Sequence, residues 1–378
     1  MRRLVFIFLF VFLCGLVAVS QEDSASALTQ QASEITASMN DAQLAAQALL
    51  TGIDGRVNLT SAMRAILGKI PAGGIMLFRY NLNSPKAEVR KLLADTSGLV
   101  ASGAGIPPFM AADHEGGLVH RFGAGVERLP SAFSFWELAQ KEGREAALAR
   151  AETLYRRSAM EIRELGITMV LGPVAEVLDE DNRLFLETRS FGPDHDFTEA
   201  AASVFIKSMD EAGIASAVKH FPGNTAADPH NAVSTLKLEK KLLDEAVKPF
   251  AGIIERLNPP IIMLSHVMVP ALDSKKNASL SPAVIKDWLR SELGFEGIVL
   301  ADDFSMGAVT SLGPGAAAVE ALNAGVDMIM VWPKDLAAVH AAIMAALDDE
   351  RLSRDRLRTA VTRIITGKLR YGIIAIPE

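Results

Sequence analysis

The sequence predicts an α/β fold, a (β/α)₈ TIM-type barrel in a single domain, and three observations support this. Short β-prone runs recur along the chain, and longer helical patterns separate them. Strands that alternate with helices indicate βαβ units and a parallel sheet. Eight such units in roughly 330 residues suit an eight-stranded barrel. Finally, no Pro/Gly/Ser-rich linker divides this region, and we expect no second domain after it.

The predicted strands are short apolar segments bounded by turn-forming residues. They lie at Ala48–Ile53, Gly74–Phe78, Pro108–Ala112, Thr168–Leu171, Ala215–Val218, Ile261–Leu264, Gly297–Leu300 and Asp327–Met330. The first of them is the least distinct, so a seven-stranded variant remains open.

The helical stretches between the strands include "AALARAETLYRRSAMEIREL" and "KKLLDEAVKPFAGIIER". The last stretch of the chain, "LRTAVTRIITGKLRYGI", also has a helical pattern. It carries one apolar face, formed by Leu357, Val361, Ile364, Ile365 and Leu369. We therefore expect a helix to close the domain.

The first twenty residues have the pattern of a secretory signal peptide. Arg2 and Arg3 precede an apolar run, and the small residues Ala18–Ser20 suit cleavage before Gln21. A membrane anchor is the alternative, but an apolar run of about 16 residues is short for a span. Lipid attachment at Cys14 is a further alternative, although "VFLC" matches a lipoprotein box poorly. We expect an exported protein, either periplasmic or secreted.

Behind the signal peptide, the sequence predicts a loose, flexible lead-in over residues 21–38, which is rich in Ser, Thr, Gln and Ala. The barrel domain would then cover residues 39–378. Cys14 is the only cysteine of the chain, so the cleaved protein would have no disulfide and no thiolate ligand or nucleophile.

Charge and composition narrow the class of partner. The formal net charge is −7, and the basic residues are scattered rather than grouped in a stripe. This distribution argues against nucleic acid as the main partner. No segment resembles a basic, membrane-binding amphipathic helix.

Polar motifs follow four of the predicted strands. "DHEGG" follows the third strand, "KHFPG" the fifth, "SHV" the sixth and "DDFSMG" the seventh. Each motif alone could be a helix cap or a satisfied loop group. Together they lie at the C-terminal ends of the strands, where barrels of this type keep their active sites.

These motifs carry a resemblance to a known family. "KHFPG…DPH" and "GFEGIVLADDFSMGA" resemble the catalytic motifs of glycoside hydrolase family 3, in its single-domain β-N-acetylhexosaminidase branch. The likeness extends to "GGIMLFRYNL", "DHEGGLVHRF", "RLP", "GPVAEV" and "ETRSFG". It covers about Asp41 to Ile373, which is nearly the whole chain after the signal peptide.

The resemblance implies that Asp302 is a catalytic nucleophile. A carboxylate at the mouth of a buried strand can attack the anomeric carbon of a sugar and form a covalent intermediate, which is the retaining route. Asp303 would support it or cap a helix. The family usually has Ser or Thr before the nucleophile, whereas this chain has Ala301. The alternative is that Asp302 only caps the next helix.

By the same resemblance, His230 is the general acid and base, and Asp228 orients it. A histidine suits this role because its unperturbed pKa of about 6.5 lets it give and retake a proton near neutrality. The alternative is a solvent-facing loop histidine. The loop before this pair is about two residues shorter than in the relatives, so the reach of His230 is in question.

Five further residues would bind the sugar if the resemblance holds: Asp113, Arg121, Arg189, Lys219 and His220. A carboxylate such as Asp113 suits a pair of vicinal hydroxyls because it can accept two hydrogen bonds. For the two arginines, a plain ion-pair role is the alternative. Leu118 stands where many relatives carry arginine, which leaves the shape of the subsites open.

The function implied is a retaining exo-β-N-acetylhexosaminidase that needs no metal or organic cofactor. Its substrate would be an oligosaccharide or glycopeptide that contains N-acetylglucosamine. Three alternatives remain: a family 3 hydrolase of another β-glycoside, such as a glucoside or xyloside; a non-catalytic sugar-binding barrel; and a metal-dependent hydrolase built on His220, Asp228 and His230. Lys219 counts against the metal-dependent hydrolase, because its positive charge beside the ligand His220 would repel the metal ion.

Overall fold

Eight parallel strands form a closed barrel in the computed structural model, which describes residues 26–123, 125–227, 234–304 and 312–375. Around the barrel the order is β1, β2, β3, β5, β6, β7, β10 and β11, and β11 pairs with β1. These strands are β1 (Leu49–Gly52), β2 (Gly74–Leu77), β3 (Phe109–Gly116), β5 (Met169–Val174), β6 (Ala215–Phe221), β7 (Ile261–Leu264), β10 (Ile298–Ala301) and β11 (Met328–Val331). The predicted barrel is confirmed with all eight strands.

Three short strands lie outside the barrel: β4 (Val119–His120), which pairs antiparallel with β3, and the antiparallel pair β8 (Met268–Val269) and β9 (Asp273–Asn277).

The helices pack on the outside of the barrel and connect its strands. They are α1 (26–37), α2 (Asp41–Gln47), α3 (Ser61–Lys69), α4 (Arg79–Leu82), α5 (Lys86–Ala104), α6 (Ala132–Glu142), α7 (Arg144–Leu165), α8 (Arg183–Leu186), α9 (His195–Glu211), α10 (Lys240–Ala246), α11 (Lys248–Leu257), α12 (Pro314–Ala324), α13 (Leu336–Asp348) and α14 (Arg354–Arg370). A 3₁₀-helix (Ala278–Leu280) and a π-helix (Ala283–Glu292) precede β10. The predicted closing helix is α14, and its apolar face is buried.

The predicted helical stretch "KKLLDEAVKPFAGIIER" is interrupted, because it forms α10 and α11 with Val247 between them. Pro249 explains the break. It has no backbone N–H to donate to the preceding turn, and it is well tolerated only in the first turn of a helix, where it lies here.

The lead-in over residues 21–38 is not loose throughout, because residues 26–37 form helix α1. The sequence signal for this helix is an apolar stripe. Leu28, Ala32 and Ile35 recur at helical spacing and pack against the main core.

The predicted signal peptide, residues 1–20, lies outside the described residues and stays a prediction that N-terminal sequencing of exported protein would test. Among the described helices, none combines the length and the apolar character needed to cross a membrane.

Three of the barrel strands extend further than the apolar pattern predicts. β3 continues past Ala112 to Gly116, β5 past Leu171 to Val174, and β6 past Val218 to Phe221. On β3 and β6 the apolar pattern stops earlier because the next inward-facing side chains are polar, and on β5 it stops at Gly172 and Pro173, whereas the backbone pairing continues. Asp113, Lys219 and His220 therefore lie on strands rather than in loops.

The rows of side chains that face the barrel interior continue into a pocket at the ends of the strands. Successive strand side chains point to opposite faces, so every second residue faces inward. Phe109 and Ala111 belong to the barrel core, and Asp113 and Glu115 continue that row into the pocket. On β6 the core residues Ala215 and Ala217 lead to Lys219 in the same way. The strand period thus places the polar residues at the C-terminal end of the barrel.

At the other end of this core lies a buried lysine, Lys368 of α14. Its side chain is fully buried; its Nζ donates to Gln47 Oε1 at 2.7 Å and lies 5.7 Å from the centre of the Phe109 ring. No carboxylate of the described residues forms an ion pair with it. Burial lowers the pKa of Lys368 to about 7, so its ammonium form is disfavoured in the folded protein.

This burial makes stability depend on pH. Between about pH 7 and pH 10.5, the unfolded chain holds a proton on Lys368 that the folded chain has lost. The free energy of unfolding therefore rises with pH in this window, by at most about 1.4 kcal/mol per pH unit from this group. We predict that Lys368→Met flattens the rise, as measured by denaturant unfolding at several pH values. Lys275→Met, at an exposed site on β9, is the control that should leave the rise unchanged; an equal slope in Lys368→Met and wild type would contradict the prediction.

Candidate active site

A pocket of about 280 Å³ opens at the C-terminal end of the barrel. Charged side chains from several strands and loops line one part of it, and aromatic side chains line another. The polar lining residues are Asp113, Glu115, Arg121, Arg189, Lys219, His220, Asp302 and Asp303, and the aromatic ones are Phe78, Phe185 and Trp332.

Lys219 is the centre of the charged part. Its Nζ lies 3.0 Å from Asp113 Oδ1 and 2.7 Å from Glu115 Oε1. The side chains of Lys219 and Glu115 are almost completely buried, while that of Asp113 is 18% exposed. Asp113 is thus the member of this trio that is most open to a ligand.

Two arginines extend the network. Arg189 donates two hydrogen bonds to Glu115, from Nε to Oε2 at 2.8 Å and from Nη2 to Oε1 at 2.9 Å. Arg121 donates from Nη2 to Asp113 Oδ2 at 3.2 Å. The two-point geometry of Arg189 fixes both groups, because a guanidinium and a carboxylate match in plane.

The network keeps its members charged. Burial raises the pKa of Asp113, but Lys219 and then Arg121 outweigh it, so the pKa lies below its usual value. Burial also raises the pKa of Glu115, but Lys219 and Arg189 outweigh it, so this pKa is well below its usual value too. For Lys219, burial lowers the pKa, but Glu115 and Asp113 more than compensate and raise it. Fixed charges therefore face the pocket over the whole neutral range.

His220, next to Lys219 along β6, is held by a buried carboxylate, Glu176. His220 Nδ1 lies 2.6 Å from Glu176 Oε1, and the backbone N–H of His220 donates to the same oxygen. Asn224 Nδ2 donates to both oxygens of Glu176, at 3.0 and 3.2 Å. A proton on Nδ1 that donates to Glu176 leaves His220 Nε2 as the acceptor of the neutral ring.

Asp302 follows β10 directly and lines the pocket. One of its oxygens, Oδ1, accepts a hydrogen bond from the backbone N–H of Asp303 at 2.8 Å. The Asp303 side chain accepts a hydrogen bond from Trp332 Nε1.

Behind the two aspartates lies His266, which is buried. Its Nε2 is 3.1 Å from the backbone oxygen of Asp303, and its Nδ1 is 2.7 Å from Ser279 Oγ. Burial lowers the pKa of His266, and the charge of Asp302 offsets this only in part. A proton on Nε2 is donated to the backbone oxygen of Asp303, so His266 holds the backbone next to Asp302.

The proposed acid–base pair, Asp228 and His230, lies outside the described residues. The residues on either side of that segment lie together, since Thr225 Oγ1 and Ser234 Oγ are 2.6 Å apart. Asn224, which precedes that segment in the chain, donates to Glu176, the carboxylate that holds His220.

The family follows from comparison with known proteins. The family model described as "Glycosyl hydrolase family 3 N terminal domain" matches residues 36–366, which is most of the chain. The chain belongs to glycosyl hydrolase family 3. It is a glycoside hydrolase, and its substrate is a carbohydrate.

Relatives of this hydrolase agree with the family model. It is 35% identical to the "Beta-hexosaminidase" of Methylococcus capsulatus over 305 residues, which cover 78% of this chain and 85% of the relative. It is 33% identical to that of Stenotrophomonas maltophilia, with 78% and 86% covered. The solved structure of a family 3 β-N-acetylglucosaminidase from a Paenibacillus species superposes with a TM-score of 0.83 at 29% identity. That comparison covers 90% of this chain and 64% of the Paenibacillus chain.

The structure brings six of the eight predicted site residues of the hydrolase into one pocket: Asp113, Arg121, Arg189, Lys219, His220 and Asp302. Arg121 and Arg189 form ion pairs, which was the alternative role for them. Both also line the pocket. An ion pair and a sugar contact are therefore compatible at these positions. The roles of all eight residues stay predictions.

Several important residues were missed by the sequence reasoning. Glu115 had a usable signal, since it stands two residues after Asp113 and therefore faces the same way on a strand. Gly116 follows it with φ +92°, and a Cβ there would lie 2.2 Å from the Pro130 carbonyl oxygen, so the strand must end in glycine. Glu176 stood in the motif "GPVAEV", but nothing in the sequence paired it with His220. Trp332 had no motif at all.

Proposed function

We propose that this hydrolase is a retaining exo-β-N-acetylhexosaminidase. The observation that carries the proposal is the position of Asp302 at the mouth of β10, in a pocket that also contains the ion-paired network of Asp113, Glu115 and Lys219. The names of the relatives support the choice of sugar, because the two bacterial relatives are called beta-hexosaminidase and the Paenibacillus enzyme is a β-N-acetylglucosaminidase.

In the first step of the proposed reaction, a carboxylate oxygen of Asp302 attacks the anomeric carbon. The bond from that carbon to the leaving oxygen breaks, and this oxygen takes a proton from His230. In the second step, His230 takes a proton from water, and the water oxygen attacks the anomeric carbon. The bond to Asp302 then breaks and the carboxylate is released. Two inversions give net retention of configuration, and Asp228 would stabilise the charged form of His230.

The charged network suits the sugar that must be held during these steps. Asp113 can accept hydrogen bonds from sugar hydroxyls, and Arg121, Arg189 and Lys219 can donate to sugar oxygens. All four are held by ion pairs within the pocket, so little reorganisation is needed when the sugar binds. Preorganised polar groups of this kind stabilise charge that develops in the transition state.

A panel of nitrophenyl β-glycosides tests the proposal. We predict that the N-acetylglucosaminide is hydrolysed best, with weaker activity on the glucoside and xyloside, and that a chelator has no effect. Asp302→Asn should lower kcat/KM by about 10⁴-fold or more, which is the scale for loss of a nucleophile. Asp348→Asn, at an exposed position of α13, is the matched control and should retain wild-type activity. Preferred hydrolysis of the glucoside or xyloside would favour the alternative substrate; no hydrolysis of any glycoside would favour a binding protein.

A further prediction concerns His230. General acid–base assistance is worth about 10²–10⁴-fold where the leaving oxygen needs a proton. His230→Ala should therefore abolish most activity on a disaccharide. A dinitrophenyl glycoside should still react, because its leaving group departs without a proton. The glycosyl-enzyme should then accumulate. Azide should speed the breakdown of that intermediate. Asp228→Asn should give a milder loss.

The readouts for His230 are pre-steady-state release of dinitrophenolate and the identity of the glycosyl azide product. If losses on good and poor leaving groups are equal and azide has no effect, another residue supplies the proton.

A further inference from the structure

A cavity of about 490 Å³ lies at the base of the barrel and has no part in the reaction described above. Asn258–Pro260, directly before β7, and Phe295–Gly297, directly before β10, form one side of it. Leu28 and Thr29 of α1 and one face of α14 form much of the rest. Because the barrel strands are parallel, their starts lie at the end of the barrel away from Asp302. We call this space the basal cavity.

Three arginines share one buried carboxylate beside the basal cavity. Asp327, directly before β11, has a fully buried side chain. Its Oδ2 lies 2.6 Å from Arg290 Nη2, and its Oδ1 lies 3.1 Å from Arg356 Nη2 and 3.2 Å from Arg363 Nη1. Three positive charges therefore face one negative charge, an excess of two. Arg290 and Arg363 also line the cavity, so part of this excess faces it.

The cluster lacks full compensation within the protein. Burial lowers the pKa of Arg290 to about 10; Asp327 opposes this fall, and the charges of Arg363 and Arg356 add to it. The buried Nη1 of Arg356 has no hydrogen-bond partner among the described residues. Burying positive charge without matching negative charge is costly. An anion bound in the cavity would supply the missing negative charge.

Two arginines of α14 have donors that a ligand can use. Arg363 makes one hydrogen bond within the described part of the chain, the contact with Asp327 at 3.2 Å. Arg370 donates to the backbone oxygen of Asn258 at 3.5 Å and to Asp210 at 3.4 Å, and both distances are long for hydrogen bonds of this type. Seven residues separate the two arginines, so they lie on one face of the helix, about 10 Å apart along its axis. Their long side chains can both reach a ligand between them.

Acidic groups near the basal cavity do not cancel its positive charge. Of the described residues that line it, Glu296 alone is acidic, and it is exposed to solvent. Water and salt screen an exposed carboxylate much more than a buried group. Asp210 faces Arg370 but does not line the cavity, and it also accepts a hydrogen bond from the Tyr371 hydroxyl.

We propose that the basal cavity binds a phosphate monoester. Such a group carries nearly two negative charges at neutral pH, which matches the excess of the arginine cluster. Its oxygens accept hydrogen bonds from several directions, and arginine suits phosphate because it donates paired hydrogen bonds. The body of the ester lies against the apolar lining residues, which are Leu28, Pro259, Pro260, Phe295 and Ile298. The proposal does not depend on the reaction at Asp302.

Calorimetric titration with phenyl phosphate, at constant ionic strength, tests the proposal on the wild-type protein. We expect one saturable site. Inorganic phosphate should bind more weakly because it has no apolar body, and benzoate should bind more weakly because it carries a single negative charge. Absence of saturable binding of phenyl phosphate, or equal affinity for benzoate, would overturn the proposal.

Variants of α14 place the site. Arg370→Gln should raise the Kd for phenyl phosphate about tenfold, which is the scale for one lost hydrogen bond to a charged group. Arg363→Gln should act similarly, but it also removes a contact with Asp327. Arg370 stands outside that cluster, so its variant keeps the buried ion pairs. Arg358→Gln is the matched control, because this residue of α14 is exposed and does not line the cavity.

Binding in the sugar pocket must be distinguished, because that pocket also contains cationic groups. Arg121→Gln removes one of them and should leave the Kd for phenyl phosphate unchanged. A Kd that responds to Arg121→Gln and not to the two α14 variants would assign the anion to the sugar pocket and overturn the proposal. Equal values for Arg358→Gln and Arg370→Gln would do the same.

The phosphate monoester has two sources, a soluble ester and the head group of a lipid. Flotation with phosphatidylcholine vesicles, with and without phosphatidic acid, distinguishes them. Binding that requires phosphatidic acid and is lost in Arg370→Gln identifies the lipid head group. Binding of phenyl phosphate without flotation identifies a soluble ester. Either result supports the site, and failure to bind both probes overturns it.

Discussion

The buried ammonium group of Lys219 is the interaction on which the pocket depends. It joins two carboxylates of β3 to β6, two strands that are separated in the barrel by β5. Removing a charge from water is costly, and its partners compensate only when the geometry is good. Here both partners are within 3.0 Å, and Arg189 completes the neutralisation of Glu115. Removal of either carboxylate, or of Lys219 or Arg189, would leave a buried charge without one of its partners.

The pocket therefore has a rigid charged floor and an aromatic wall, which suit different parts of a glycoside. The floor offers fixed donors and acceptors to hydroxyl groups, while the wall offers flat surfaces to a ring. Asp302 lies between them, held by the backbone N–H of Asp303. His266 and Trp332 in turn bind Asp303, so the carboxylate that we propose as nucleophile is positioned from two sides.

The barrel could be predicted because its signal is local and repeated. Each strand is a short apolar run, and the chemistry of a parallel barrel lies where those runs end, so the residue types in "DHEGG", "KHFPG" and "DDFSMG" pointed to one rim. The exact strand ends could not be predicted, because β3 and β6 continue through charged residues that neutralise one another across the barrel. The ion pair between Glu115 and Lys219 joins residues far apart in the chain, so the sequence alone does not indicate it.

The same limit applies to the partners within the site. Glu176 and His220 are 44 positions apart along the chain, and their contact depends on how β5 and β6 end side by side. The stacked rings of Phe78, Tyr80 and Trp332 connect the segments that follow β2 and β11, and no sequence pattern indicates that they meet. The break between α10 and α11 was foreseeable from Pro249, whereas helix α1 required attention to a short apolar stripe.

The central claim is that the Asp302 carboxylate attacks the sugar, and trapping the intermediate tests this most directly. A 5-fluoro-N-acetylglucosaminyl fluoride should form the glycosyl-enzyme faster than it is hydrolysed. Mass spectrometry of the digested protein should then show one added fluorosugar, on the peptide that contains Asp302 and on that residue. A label on Asp303 would contradict the assignment of the nucleophile, and turnover that yields the inverted product without any label would contradict the covalent mechanism.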